Sequence, residues 1–460
     1  MSPQDSFHVR YRKTSPIWGD ESEAVNTALT WAVHRTVVAS DPKATARDAA
    51  DLARDVGQTI TKDGIGARRA MELFDTVALP ASRAPDDPYN LAYIPSAPTR
   101  AAVAFDTVVS TANIFGGTWE AGSGAIHLEN QAIAWLISLL DWPASAAGAF
   151  VAGGTLGNLS ALAAARHAAD TSRGRPEGGW FLACSEGAHS SVAAAAQILD
   201  VGVLTVPTDA RGHLTGAALD EALGARTDVF AVVASAGTTN TGIVDDLADI
   251  ADVCEKRGLW WHVDGAYGGA ALASPTARAM FAGIERADSF IVDPHKWLFA
   301  PYDCCALIYR DAARAAAAHS QHASYLEAID RSQFNPADLA IHLSRRTRGL
   351  PLWFSLATHG TEAYGRAIDT CMQTAREIAD GIDALEHLEL LVPPELSVVT
   401  FRRPGWSRAE YARWSHRLAT DGVLLIVPTT YEEETALRIV VVNPLTRADF
   451  VLKILSETMR

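Results

Sequence analysis

Two aspartates and one lysine stand where apolar, strand-like runs end. Leu259-Trp260-Trp261-His262-Val263 leads into Asp264, and Ala287-Asp288-Ser289-Phe290-Ile291-Val292 leads into Asp293, followed by Pro294, His295, Lys296 and Trp297. Charged side chains mostly face solvent, so their arrival at the ends of buried runs needs a reason. One reading is chemical. A lysine amine carried in by a central strand can form a Schiff base with pyridoxal phosphate. A carboxylate from a neighbouring strand can then keep the cofactor's pyridine nitrogen protonated, so that the ring accepts electrons. The other reading is an internal ion pair that only orders the fold, and these two segments alone leave both open.

Three further segments bear on that choice. Gly153-Gly154-Thr155 follows the apolar run Ala149–Ala152 and precedes a helical run. Glycines let the backbone approach an anion closely, a helix N-terminus supplies free N–H groups, and Thr155 offers a hydroxyl, so a phosphate fits there; a glycine pair needed only for space is the plain alternative. Neither GxGxxG nor GxxxxGK[ST] occurs at this turn, so it is not a nucleotide fingerprint. His189, in Ser185–Ser191, lies just past another strand, where an imidazole can stack on a pyridine face or merely cap a helix. Gly237-Thr238-Thr239 follows the apolar run Val229–Ala236 and can hydrogen-bond a cofactor edge or simply turn the chain.

The elements that would position these residues alternate. Short apolar runs at 149–152, 179–184, 202–206, 229–234, 259–263, 289–292 and 306–309 are mostly separated by helix-like stretches such as 158–170, 190–201, 216–225 and 247–257. That alternation predicts a largely parallel sheet covered on both faces. Before it come helices with polar joints, the first capped by Asp20, and a Pro-rich segment, 80–98. Tyr89, Leu91, Tyr93 and Ile94 in that segment either anchor a linker or line a pocket. After the alternating region, 345–368 reads as one long helix with Pro351 in its first turn. Strand candidates follow at 388–392, 396–401, 423–428 and 435–441, and a last helix from Thr446, with Thr446 as its N-cap, completes a small α+β lobe. The division expected is 1–78 helical, 79–345 a large domain, and 346–460 a linking helix with the small domain.

Composition sets the outer bounds. The chain has 460 residues, beyond what one core organises, with 48% hydrophobic content and a net charge of −15. That charge disfavours non-specific nucleic-acid or anionic-membrane binding. Five cysteines without a CxxC pair make a poor disulfide framework, and there is neither an apolar signal region nor a run long enough to span a bilayer. The expectation is a cytoplasmic protein without a metal site.

Taken in order, the segments Gly153-Gly154-Thr155 with Asn158–Leu162, Ala188–Ser191, Gly237–Thr239, His262–Tyr267 and Asp293–Trp297, then Ser344–Arg346 and Arg438–Pro444, resemble the pyridoxal-phosphate-dependent amino-acid decarboxylases of the aromatic-amino-acid, histidine and glutamate group. The resemblance covers about residues 80 to 450. It implies an α/β architecture of fold type I, the fold of the aminotransferase-like transferases, with a mainly parallel sheet in the large domain. It also implies a homodimer with the site at the subunit interface, and pyridoxal phosphate as cofactor. Lys296 would be the Schiff-base lysine and Asp264 the partner of the pyridine nitrogen. His189 would stack on the ring with Ala266 against its other face, and Gly153, Gly154 and Thr155 would hold the phosphate with Asp293 nearby. Thr239 would lie by the cofactor oxygen, and His295 close to the substrate carboxylate. Tyr325 matches the mobile-loop tyrosine that acts as acid toward the substrate carbon; relatives with phenylalanine there tend toward aldehyde formation.

The same resemblance places Tyr93, Ile94 and Pro95 in the loop that lines the side-chain pocket, with Phe115, Gly117 and Trp119 as further lining. Ile94 and a glycine stand where the animal aromatic enzymes carry larger rings, and no lysine or arginine lies in the pocket loop itself. An aromatic L-amino acid decarboxylated to its amine is therefore expected, with oxidative deamination to an aldehyde or an acidic amino acid as substrate as the alternatives.

Overall fold

The computed structural model describes residues 21–320 and 335–460, so Asp20 and Tyr325 lie outside the described residues. The chain falls into two compact units, one reaching to Ala84 and including Ala419–Val423, the other made of Pro85–Leu418 and Leu424–Arg460.

The first unit carries helices Ser22–Val37, Ala49–Val56 and Ala67–Leu73, the last continuing into a π-helical turn, Phe74–Ala78. Trp31 fastens the first helix to that turn. Its indole N–H donates to the Asp75 carboxylate at 2.7 Å, and its ring meets Phe74 edge-on at 5.3 Å. No residue of Ser22–Val37 is buried. Val25, Leu29, Val33 and Val37, spaced four apart and so on one helical face, are all exposed.

The second unit is built on a seven-stranded sheet. Its strands are β1 (Ala147–Val151), β2 (Phe181–Ser185), β3 (Gly202–Val206), β4 (Val229–Ser235), β5 (Trp260–Asp264), β6 (Ser289–Val292) and β7 (Cys305–Tyr309), in the order β1-β7-β6-β5-β4-β2-β3. The five strands from β3 to β6 are parallel, and β7 runs antiparallel to both neighbours. Every residue of β4, β5 and β6 is buried, as a parallel sheet covered on both faces requires, and this is why these strands read as unbroken apolar runs rather than alternating ones. The helix Gly154–Arg173 lies across β4 to β7. Register pairs Ser235 with Asp264 and Asp264 with Ile291. The ends of β1, β2, β4, β5 and β6 therefore deliver Gly153, His189, Gly237, Asp264 and Asp293 to one edge of the sheet, the edge where ligands bind in open α/β folds.

A second sheet of β8 (Glu389–Val392), β9 (Val398–Arg402), β10 (Val427–Tyr431) and β11 (Glu434–Val440) is wholly antiparallel, in the order β10-β11-β9-β8. Helix Thr361–Asp383 lies on β8 and β9 and carries Ala448–Thr458 on its flank.

Three expectations change. The single helix 345–368 is two, Leu350–His359 and Thr361–Asp383, divided at Gly360 with φ +77°. Apolar periodicity passes through the break because both segments bury a face. Thr446 does not cap the last helix, which begins at Ala448; its hydroxyl donates to the Pro88 carbonyl at 2.7 Å instead. Helix Arg408–Thr420 was missed, although its signal was present. Ser407 and Glu410 form a capping box, with Ser407 N–H donating to Glu410 at 2.7 Å and Glu410 N–H to Ser407 Oγ at 3.4 Å.

Candidate active site

Lys296 is carried by a single helical turn, Pro294–Trp297, that starts directly after β6, with Pro294 at the position where a missing N–H costs nothing. Its Nζ lies 3.0 Å from Asp293 Oδ2. Burial on its own would depress this amine, but the Asp293 and Asp264 carboxylates outweigh it and leave its pKa raised. Trp297 beneath it is fully buried and stacks on Tyr267 at 5.2 Å, and the Tyr267 hydroxyl is 2.5 Å from Ser397 Oγ. The turn is thereby fixed to both sheets.

Lys296 opens into a cavity of about 320 Å³, at the small end of ligand sites. Its walls include Asp264 and Ala266 from β5 and its exit, His189 from beyond β2, Gly237–Thr239 from beyond β4, and Tyr93 and Ile94 from the Pro-rich segment. Asp264 is buried and accepts from the Ala266 N–H at 3.1 Å and from Asn158 Nδ2 at 2.8 Å. His189 precedes the helix Ser190–Ile198 and its Nδ1 accepts from the Ser191 N–H at 3.2 Å. It is thus both the cap and a cavity wall, which the sequence posed as alternatives. His295 Nδ1 lies 2.7 Å from the Cys304 carbonyl and also accepts from the Cys304 N–H at 3.2 Å, which fixes the ring against the β7 edge. Cys304 and Cys305 are buried and their thiols are pushed far up by burial, which leaves them protonated and unreactive.

Gly153 and Gly154 adjoin this cavity at the start of helix Gly154–Arg173. Gly153 adopts φ +80°, and a Cβ on Gly154 would stand 3.1 Å from Asp293 Oδ2 and 3.2 Å from the Ala266 methyl. Thr155 follows, exposed, in the first turn, where N–H groups have no partner within the helix. The remaining expected pocket residues are not in the cavity wall. Pro95 is buried. The segment from Phe115 to Trp119 packs elsewhere in the subunit: Phe115 bridges to Arg346, the Gly117 carbonyl accepts from Ala337, and the Trp119 N–H donates to Asn335 Oδ1 at 2.7 Å.

Three residues of the site were not singled out from the sequence. Tyr302 lines the cavity with its ring 4.9 Å from His295. Buried Arg438, on β11, donates to the backbone carbonyls of Thr239 and Tyr93. Asn158 lies beneath Asp264. A lone arginine inside the apolar run Leu437–Val442 is the signal for Arg438, and both it and Asn158 lie in segments that carry the family resemblance.

The sequence pattern of the pyridoxal-dependent decarboxylase conserved domain matches residues 72–403. The chain belongs to this family. It is 30% identical over 446 residues to the aromatic-L-amino-acid decarboxylase of Bacillus atrophaeus, covering 92% of this chain and 91% of the relative. It is 31% identical over 417 residues to the L-2,4-diaminobutyrate decarboxylase of Rhizobium meliloti, covering 86% and 83%. The crystal structure of mouse CSAD superposes with a TM-score of 0.84 at 26% identity, covering 95% of this chain and 98% of that one. Oryza sativa TDC with PLP and tryptamine superposes with 0.88 at 24%, covering 98% and 99%, a likeness of fold. The protein is accordingly a fold-type I, pyridoxal-phosphate-dependent decarboxylase of an L-amino acid.

The cavity suits that cofactor. A half-buried lysine, a carboxylate held by two donors, and a glycine turn that leaves little room for a side chain beside Asp293 and Ala266 make a set that can bind an aldehyde, a ring nitrogen and a phosphate. Among the described residues no cluster of His, Cys, Asp or Glu could hold a metal ion, and no helix is long and apolar enough to cross a membrane.

Proposed function

We propose that this decarboxylase acts on an aromatic L-amino acid and releases the amine and carbon dioxide. The observation that carries the reading is the cavity lining, in which Tyr93, Ile94, Tyr267 and Tyr302 supply apolar and aromatic surface. It contains no carboxylate other than Asp264 to pair with a distal ammonium. Besides Lys296, the cationic side chain in the lining is Arg438, and the imidazoles of His189 and His295 line it as well. One arginine, held by backbone carbonyls and with no carboxylate partner among the described residues, matches the single carboxylate that every amino acid has. An acidic side chain would call for a second cation.

Pyridoxal phosphate, when bound, supplies the electron sink for the pair left on Cα as carbon dioxide departs. Lys296 would hold it covalently, Asp264 would keep a proton on its ring nitrogen, and His189 and Ala266 would lie against its two faces. The N–H groups and hydroxyl of the Gly153–Thr155 turn would take the phosphate, with Asp293 beside it, and Thr239 would meet an oxygen. His295 and Arg438 would orient the substrate carboxylate, while Tyr302 and Tyr93 keep water from it. Tyr325 would deliver the proton to Cα, which sets amine over aldehyde as the product.

The protein would work as a homodimer in the cytoplasm. The exposed stripe Val25, Leu29, Val33 and Val37 supports a partner, and the segment Phe115–Trp119 would reach a substrate only at a second subunit's cavity. The division into 1–78, 79–345 and 346–460 is proposed as the functional one. Released amine and carbon dioxide, assayed in parallel for tryptophan, tyrosine, phenylalanine, dihydroxyphenylalanine, glutamate, cysteine sulfinate and 2,4-diaminobutyrate, test the reading. An aromatic substrate should lead in kcat/KM by at least about tenfold, equivalent to about 1.4 kcal/mol; a lead for an acidic or diamino substrate would overturn it.

A further inference from the structure

Beneath the cavity floor runs a continuous line of polar side chains, from Trp260 on the far side of β5 to His189. Trp260 Nε1 is 2.8 Å from Ser289 Oγ, which is 2.8 Å from His262 Nδ1; His262 Nε2 is 2.8 Å from Asn158 Oδ1. Asn158 Nδ2 is 2.8 Å from Asp264 Oδ2 and 2.9 Å from Ser191 Oγ, which is 2.7 Å from His189 Nδ1. Ser289 and His262 are wholly buried, Asn158 and Ser191 nearly so, and no water need be invoked to satisfy any of them.

The chemistry of each group permits one direction only. An indole N–H can only donate, so Ser289 Oγ accepts from Trp260; the direction beyond it is set at Asn158, whose oxygen needs the His262 Nε2 proton, so that Nδ1 of the neutral ring accepts from Ser289 Oγ. The amide cannot be turned over, because its oxygen would then face the Asp264 carboxylate at 2.8 Å. Its two N–H groups therefore go to Asp264 and Ser191, and Ser191 passes its hydroxyl proton to His189 Nδ1, which also receives the Ser191 backbone N–H.

We propose that Trp260, Ser289, His262, Asn158 and Ser191 form a one-way hydrogen-bond relay whose hub, Asn158, holds Asp264 as the bare carboxylate and His189 as the Nε2–H tautomer facing the cavity. Asn158 and His262 are then positioning residues of the decarboxylase: they act on the reaction through Asp264 and His189. This inference rests on the reading that those two residues face the cofactor.

The isosteric substitution Asn158→Asp tests it. The introduced carboxylate can accept from His262 but cannot donate to Asp264 or Ser191. Ser191 must then turn its hydroxyl toward it, leaving a lone pair for a proton on His189 Nδ1, while Asp264 loses a donor and gains a like charge. The other charged and titratable groups around Asp264, namely Lys296, His262, His189, His295 and Arg438, are unaltered. Two readouts on the holoenzyme apply: nitrogen-15 spectra of labelled histidines, assigned by single substitution, and the pH profile of kcat/KM. In the parent, His262 and His189 should both be protonated on Nε2 and bare on Nδ1 at neutral pH. In Asn158→Asp, His189 should gain a proton on Nδ1, and the acid limb of the profile should move up by about one pH unit or more, the size expected for losing a hydrogen bond to a charged group. A parent His262 protonated on Nδ1 would overturn the relay even if the variant failed to fold. So would a variant with both the His189 tautomer and the acid limb unchanged. Asp264→Ala is the separate control: if the bound cofactor's absorbance and its pH dependence are unaffected, the cofactor-facing reading of Asp264 falls, while the tautomers still decide the relay.

Discussion

At the scale of single residues, the chemistry was legible where a charged side chain ended an apolar strand. Lys296, Asp264 and Asp293 stand out because charge at the ends of strands buried on both faces needs either a buried partner or a chemical use. Arg438 and Tyr302 were not legible, because an arginine on β11 and a tyrosine after β6 reach the cavity only through tertiary structure. Residues 115–119 are placed in a pocket wall by the family resemblance alone, and within the subunit their partners are Ala337, Asn335 and Arg346. Asp264→Ala should lower kcat by about 10²–10³, the usual cost of removing one preorganised electrostatic partner, and unchanged steady-state kinetics would remove it from the role proposed. Tyr325→Phe should cut amine formation by roughly 10²–10⁴, the range for a positioned general acid, while raising the share of aldehyde under air. Amine and peroxide assays under air and nitrogen would show otherwise if amine continued at the parent rate.

At the scale of elements, the strands of the large sheet were readable to within two residues, whereas the strand expected at 423–428 lies at Val427–Tyr431. Gly202–Val206 and Ser289–Val292 have the expected bounds, because a continuous apolar run bounded by turns has no competing reading at that length. Helix boundaries failed where a side chain had a tertiary use that the sequence could not display. Arg345 does not begin a helix; it enters a buried ion pair with Glu129 at 2.7 Å. Thr446 reaches Pro88 rather than its own helix. The glycine turn after β1 carries its own prediction. Gly154→Val would press a branched side chain on Asp293 and Ala266, which already stand 3.1 and 3.2 Å from the Cβ position. Overpacking of this kind costs about 1–3 kcal/mol of fold stability, so the thermal transition of the apoprotein should fall, and the branched side chain at the phosphate turn should raise the cofactor's dissociation constant by about tenfold or more. Equal cofactor affinity in a titration would show that the turn does not touch the phosphate.

For the whole molecule, the fold class and the family follow from the order of the segments, whereas the substrate does not, because its pocket draws on loops whose contacts no periodicity reveals. Acid should weaken the fold in a defined window. His262 and His342 are each pushed down from 6.5 to about 4, chiefly by burial. The unfolded chain takes up these two protons near 6.5 and the native state only near 4, so their stabilisation is complete above 6.5 and is lost as pH falls toward 4. Asp245, raised from 3.8 to about 7 by burial, works the other way, with stability present below 3.8 and lost as pH rises through 7. Two groups against one leave a net loss, and the denaturant midpoint should be lower at about pH 5 than at about pH 7; a higher midpoint at pH 5 would refute the balance. Every role proposed for the site rests on pyridoxal phosphate being held covalently at the exit of β6. Of the six lysines in the chain, Lys296 is the one in the cavity wall among the described residues. Borohydride reduction of the holoenzyme followed by peptide mapping by mass spectrometry tests this most directly. One cofactor per chain should be found, on the peptide containing Lys296 and absent from Lys296→Ala; a cofactor fixed on another lysine, or none fixed at all, would rule out Lys296 as the Schiff-base residue.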